Sequence, residues 1–200
     1  EQGSKLDTNT ITLNGGIIRN NLSVILNGEH IETNLNGLSL LDGKQHADNF
    51  ISIDHKMPNC HSNQLFKNVL DEEATGAFTG RIHVHRDAQK TLAYQRNNNV
   101  LMCERSQMNT KPQLVIDADD VRCSHGATVG RIDEEALFYL RARGIPEKEA
   151  RLMLMFAFAG EVLAAIPVEA LRERIEELVD RRLRGDLDPC KSCQVHCVNK

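Results

Sequence analysis

The first two thirds of the chain consist of short apolar runs that are interrupted by Asn, Gly and Asp. The eight runs between Thr10 and about Ile132 are TITLNGG, LSVILNGE, LNGLSLLDG, NFISIDH, GAFTGRIHVH, KTLAYQ, NVLMCE and QLVIDADDV. These β-type runs are separated by turn signals, and no segment between them keeps a 3.6-residue period over three turns. The sequence therefore offers no crossover helix for an ordinary α/β sheet. A β-sandwich, a β-barrel and a β-solenoid remain as alternatives, and the local pattern does not decide among them.

The chain changes character after Gly130, where helical patterns replace the short runs. Asp133 is a good N-cap for a helix through DEEALFYLRARG, and Pro146 suits the first turn of a second helix. Pro167 opens a third helix, which ends at Gly185. The second helix is apolar around most of its circumference, so it must be largely covered, either by the β-structure or by another protein.

Composition and charge exclude several classes of function. The net charge is −4 and the sequence pI is about 6.1, which leaves no basic footprint for nucleic acid. No segment approaches the roughly 18 apolar residues of a membrane span. The first ten residues lack an initiator Met and the pattern of a signal peptide, so we expect the chain to begin within a longer protein. Six Cys without a secretion signal favour a reducing compartment, such as the cytoplasm or an organelle interior.

Common enzymatic motifs are missing from the sequence. It contains no GxxxxGK[ST] phosphate loop, no strand-to-helix GxGxxG, no GxSxG elbow and no HExxH zinc helix. We therefore expect no nucleotide hydrolysis by the chain itself.

The stretch CSHGATVG at 123–130 places a thiol and an imidazole two residues apart. On a strand, side chains alternate with period two, so Cys123 and His125 should share one face. Gly126 and Gly130 would allow another backbone to approach closely. Cys and His are good ligands for iron or zinc. The two residues on this chain would make half of a metal site, and a partner chain would have to supply the other half. The alternative is a Cys that is only buried.

Two other stretches contain clustered His and Cys. His83 and His85, in HVH, should project from one strand face, but no third ligand lies near them in sequence. We therefore expect a solvated strand face there. His55, Cys60 and His61, in DHKMPNCH, are expected to serve turn and packing roles.

The tail CKSCQVHC contains Cys190, Cys193, His196 and Cys197. C-x2-C is a chelating spacing, and three thiolates with one imidazole would complete a tetrahedral shell. The alternative is an unstructured tail that is prone to oxidation.

The segment KPQLVIDADDVRCSHGATVGRIDEEALFYLRARGIPEKEAR, with GRIHVHRDAQKTLAYQRNNNVLM and TLNGGIIRNNLSVILNGE upstream, resembles the SufD family of the Suf iron–sulfur cluster assembly system. The resemblance covers essentially all 200 residues as the carboxyl-terminal part of a longer family chain. The sister family SufB differs across the segment that CSHGAT occupies here.

The resemblance implies a mainly β fold, a right-handed parallel β-helix (solenoid) over residues 1–132. A small helical segment that docks an ATPase (133–185) and a Cys-rich tail (186–200) would follow. It further implies a scaffold without enzymatic activity that pairs with a SufB-like paralogue and docks a SufC-like ABC ATPase, which alone binds ATP. Cys123 and His125 would handle iron or a transient iron–sulfur cluster at the subunit junction. The expected location is the cytoplasm, or the plastid stroma in a plant or alga, and the isolated chain would form a homodimer.

Two other functions fit parts of the sequence. A polysaccharide-acting β-helix would need a secretion signal and a charged groove, and the free thiols argue against export. A structural metal-binding module would share the ligands but would lack the partners.

Overall fold

A computed structural model of the chain describes residues 1–186, which form nine strands followed by three helices. The strands are β1 (Lys5–Thr12), β2 (Ile17–Leu26), β3 (Glu32–Leu41), β4 (His46–His55), β5 (His61–Leu70), β6 (Thr75–Val84), β7 (Leu92–Leu101), β8 (Gln107–Ile116) and β9 (Arg122–Gly130). The helices are α1 (Glu134–Ala142), α2 (Glu147–Leu163) and α3 (Glu169–Arg184). Within residues 1–186 no helix is both long enough and apolar enough to cross a bilayer.

The strands alternate between two parallel sheets. Sheet A has the order β1-β3-β5-β7-β9, and sheet B has the order β2-β4-β6-β8. Each strand therefore pairs with the strand two places later in the chain, always in parallel, so the chain winds as a stack of coils. This arrangement confirms the β-helix and excludes the sandwich and the barrel.

Recurrent left-handed residues set the turns between the sheets. His30, Asn59 and Lys90 have φ of 57°, 60° and 59°, and each lies two residues before a strand of sheet A. Gly43 and Glu72, with φ of 57° and 52°, each lie three residues before a strand of sheet B. A positive φ is uncommon for residues other than Gly, so its repetition at the same place shows that successive coils share one turn geometry.

The strands differ from the eight predicted runs in four places. KTLAYQ and NVLMCE belong to one strand, β7, rather than two. The strand β5, HSNQLFKNVL, was not predicted, because its inward positions include Gln64 and Asn68 and the apolar alternation is broken. The strand β9 contains CSHGATVG. The run QLVIDADDV ends its strand at Ile116, before its acidic half.

The interior of the coils is apolar in its middle part. Leu35, Ile51, Ile53, Phe66 and Phe78 form one buried cluster, in which the two phenyl rings lie 5.1 Å apart between centroids. At Gly37 a Cβ atom would overlap the ring of Phe66, so this close approach requires glycine.

Amide ladders fill other parts of the interior. Gln95 Nε2 donates to Gln64 Oε1 at 2.9 Å, and Asn68 Nδ2 donates to Asn99 Oδ1 at 2.6 Å. The side chain of His55 is also buried, and its desolvation lowers its pKa to about 4, so the ring is neutral. These hydrogen bonds run between neighbouring coils, and they explain how polar residues are accommodated inside the solenoid.

Local capping signals set the helix ends. The Asp133 carboxylate accepts hydrogen bonds from the backbone N–H groups of Glu135 and Ala136, as the sequence predicted. Gly185, with φ of 81°, ends α3 in the left-handed conformation.

The helix α2 covers the outer face of sheet A, where it contacts β3 and β5. One buried cluster joins the sheet to the helix. It contains Leu38, Leu40, Leu65 and Val69 from the sheet and Ala150, Met155, Ala159, Val162 and Leu163 from the helix. Lys67, whose side chain is 9% exposed, pairs with Glu161 Oε2 at 2.7 Å and donates to the Phe158 carbonyl at 3.0 Å. Arg182 of α3 forms a bidentate pair with Asp42 at 2.6 and 2.7 Å. Most of the apolar circumference of α2 is thus covered within the chain.

Candidate functional site

The β-helix ends at β8 and β9, each of which pairs with one strand within residues 1–186. β8 carries Pro112, a residue that sheets tolerate on edge strands. The opposite end is formed by β1 and β2, whose sequences contain neither Cys nor His. The end formed by β8 and β9 is therefore the end at which thiol and imidazole groups meet a free strand edge.

Both candidate residues of CSHGATVG occupy inward-facing positions of β9. Cys123 is in register with Ala93 and His125 is in register with Gln95, and both of these β7 residues are buried. His125 thus continues the column that Gln64 and Gln95 begin. The prediction that Cys123 and His125 lie on one strand face agrees with this register.

The two side chains differ in their surroundings. Cys123 is half-buried and packs against the cluster that contains Val84 and Ala93. Burial raises the pKa of the Cys123 thiol, partly opposed by a hydrogen bond from the Ala93 backbone, so this thiol is protonated at neutral pH. The side chain of His125 is exposed. Together they offer one sulfur and one nitrogen, which is half of a four-coordinate metal shell.

The backbone of β9 presents hydrogen-bonding groups to the free edge. Arg122 N–H donates to the Thr91 carbonyl at 2.9 Å. This contact fixes which residues of β9 direct their backbone groups toward β7 and which direct them toward the free edge. In a parallel pair, alternate residues bond to opposite sides, so the N–H groups of residues 123, 125, 127 and 129 point away from β7. This edge is a template for another strand.

The glycines of the motif lie in open space. A Cβ atom added at Gly126 or Gly130 would meet no atom within 4 Å. Within residues 1–186 the paired strand β7 lies beside both glycines, and the space that a side chain would take is open.

The remaining sequence candidates fall into three groups. Cys190, Cys193, His196 and Cys197 lie outside the described residues. His55 and Cys60 are buried in the β-helix, in agreement with packing roles. His83 and His85, by contrast, lie beside a third potential ligand, Asp54 of the neighbouring strand. The sequence analysis missed this carboxylate because it precedes His83 by a whole coil.

Comparison with known proteins identifies the family. The family model for the SUF system FeS cluster assembly SufBD core domain matches residues 1–158. The chain is 40% identical to the iron–sulfur cluster assembly protein SufD of Escherichia coli over 178 residues, which cover 89% of this chain and 42% of that protein. It is 38% identical to an iron–sulfur cluster assembly SufBD family protein of Synechocystis over 172 residues, 86% of this chain and 38% of that protein.

A plant relative shows the same partial coverage. The chloroplastic protein ABCI7 of Arabidopsis thaliana is 34% identical over 177 residues, which cover 87% of this chain and 37% of that protein. The chain thus spans about two fifths of the length of these relatives. The match favours the predicted resemblance over the polysaccharide-acting alternative, and the chain belongs to the SufBD family of iron–sulfur cluster assembly proteins.

Proposed function

We propose that the chain is part of a non-catalytic scaffold subunit that pairs with a SufB-like β-helix and docks a SufC-like ABC ATPase, which alone binds ATP. The β-helix spans residues 1–132, the ATPase-docking segment spans 133–185, and the Cys-rich tail spans 186–200. The observation that carries the proposal is the free end formed by β8 and β9, with Cys123 and His125 on its inward-facing positions. The names of two relatives support a role in iron–sulfur assembly, and the plant relative is named as chloroplastic. The proposed location is the cytoplasm, or the plastid stroma in a plant or alga.

The cargo at this junction is iron or a transient cluster. Cys123 and His125 supply two ligands, and the paired subunit supplies the others. Because the pKa of the Cys123 thiol is raised, it must lose its proton as the metal binds, and thiolate coordination provides the driving force. The half-buried thiol therefore stays protonated and unreactive until the cargo and the partner subunit are both present.

Strand pairing is proposed to use the free edge of β9, where the isolated chain also forms a homodimer. Val129→Pro removes an N–H group that faces this edge, while β7 keeps all its hydrogen bonds to β9. We expect the variant to lose at least tenfold in affinity for the SufB-like partner, measured by co-purification and by titration of the purified subunits. Val129→Thr keeps the N–H group and the branched shape, so it should bind normally. Equal affinity of the Pro and Thr variants would contradict pairing through this edge.

The ATPase is proposed to dock on the outer side of the helical segment. Met153 of α2 is 50% exposed and lines a groove between α2 and α3 with Leu152, Phe156 and Leu183. Met153→Glu places a charge among the apolar side chains of this groove, whose lining also includes Asp180 and Arg184, so we expect it to weaken ATPase binding at least tenfold. The control is Ile17→Glu, which makes the same kind of change at an 86% exposed residue of β2. Unchanged binding of Met153→Glu in a pull-down, or equal loss in the control, would place the docking surface elsewhere.

A further inference from the structure

A second set of potential ligands lies on the outward face of sheet B, on the wall of the β-helix opposite to the strand β9. Asp54 of β4 and His83 of β6 are in register, and His85 follows two residues later on the same face. Asp117 comes directly after β8 and contacts His83. We call these four residues the outer histidine cluster.

The three ligand atoms of Asp54, His83 and His85 lie within 4.8 Å of one another. Asp54 Oδ1 is 3.5 Å from His83 Nδ1 and 3.7 Å from His85 Nε2. Two ligand atoms bound to one tetrahedral ion at about 2.05 Å are about 3.3 Å apart. The two separations from Asp54 Oδ1 therefore need to shrink by only a few tenths of an ångström to match two ligands of one ion.

The hydrogen bonds of His83 indicate that its inner nitrogen, Nδ1, carries a lone pair. His83 Nε2 lies 2.8 Å from Asp117 Oδ2. A ring that donates from Nε2 to this carboxylate carries a lone pair on Nδ1. Arg81 donates weakly to Nδ1 at 3.4 Å, which requires the same tautomer. A carboxylate behind a histidine is the usual orienting partner of a metal-binding imidazole.

His85 provides an independent indication that the outer histidine cluster binds a ligand. Its Nε2 atom is buried from solvent and has no hydrogen-bond partner within residues 1–186. Its ring stacks on His83 with centroids 3.9 Å apart and an angle of 32° between the planes. An unpaired buried polar atom is unfavourable, so this nitrogen is available to a ligand.

We propose that Asp54, His83 and His85 bind a divalent first-row transition-metal ion, with Asp117 as the positioning residue for His83. Two imidazoles and one carboxylate suit Zn²⁺ and Fe²⁺, whereas Mg²⁺ and Ca²⁺ prefer oxygen ligands alone. This site is separate from Cys123 and His125, and it does not depend on the function proposed for them.

The test is a titration of the purified chain with Zn²⁺ against a chromophoric chelator under anaerobic conditions. To remove competing thiolates, Cys103, Cys123, Cys190, Cys193 and Cys197 are replaced by Ser in every sample, and the buried Cys60 is kept. His83→Asn and His85→Asn should each abolish one equivalent of binding. His30→Asn is the matched control, because His30 is exposed and its φ of 57° suits Asn. It should bind Zn²⁺ like the parent chain.

Two further measurements separate ligation from a structural effect. Asp117→Asn should weaken Zn²⁺ binding about 10- to 100-fold, and Asp117→Glu should restore part of it. Co²⁺ bound in the same background should give a visible absorption spectrum without thiolate charge transfer, and His85→Asn should remove that spectrum. Circular dichroism of each variant checks the fold. Unchanged stoichiometry and affinity in folded His83→Asn and His85→Asn would overturn the proposal.

Discussion

Replacement of His125 by Ala is expected to abolish iron–sulfur cluster assembly while the free energy of unfolding changes by less than about 0.5 kcal/mol. The side chain is exposed on an edge strand, so its removal opens no cavity in the core. In the proposed function, it takes away one of the two ligands that this chain offers to the cargo at the junction. A large functional loss with little loss of stability is the signature of a ligand.

The measurement is complementation of a bacterial strain that lacks SufD, with the variants made in the full-length protein that carries this chain. The yield of the complex and urea unfolding are recorded in parallel. Ser124→Ala, on the outward face of the same strand, is the control and should complement fully. His125→Cys replaces the imidazole by another soft ligand, so it should retain more activity than His125→Ala. Full complementation by His125→Ala would remove His125 from the site.

The helical part was predictable from sequence because its signals are local. Asp133 and Gly185 cap their helices through contacts within a few residues, and the printed sequence shows both. The β-helix has no such local signature. Lys5 pairs with Glu32, 27 residues later, whereas Thr75 pairs with Gln107, 32 residues later. Coils of unequal length hide the repeat, and only the family resemblance predicted the solenoid.

The same distinction applies to the ligand clusters. Cys123 and His125 are two residues apart on one strand, so the period of two was enough to predict their shared face. Asp54 meets His83 only through the pairing of β4 with β6, and Asp117 is reached through one further coil. The register that joins them depends on turn lengths, which the residues of the cluster do not encode.

Buried polar residues were the other source of error. Gln64 and Asn68 made β5 unrecognisable as a strand, because the alternation rule assumes an apolar interior. In a β-helix, identical or similar amides stack from coil to coil and donate to one another, as Gln95 Nε2 does to Gln64 Oε1. The sequence of one coil therefore does not show which side chain of the next coil each buried polar residue contacts.

Removal of the helices after Gly144 is expected to destabilise the β-helix itself. In the intact chain α2 buries Leu38, Leu40, Leu65 and Val69 on the outer face of sheet A. Exposure of four such side chains costs about 6–12 kcal/mol, an upper estimate that is comparable to the whole stability of a domain of this size. A chain of residues 1–144 should therefore aggregate, or unfold at much lower urea concentration than the whole chain.

A matched pair of substitutions in α2 tests the same point without truncation. Ala159 is fully buried in the cluster, so Ala159→Glu forces an unpaired carboxylate into an apolar contact and should cost at least about 3 kcal/mol in urea unfolding. Met153→Glu adds the same charge at a half-exposed position of the same helix, and its unfolding should change by less than about 1 kcal/mol. Equal stability of the two variants would show that α2 does not stabilise the β-helix. If they differ as expected, loss of ATPase binding by a truncated chain reflects unfolding, and only surface substitutions such as Met153→Glu report on docking.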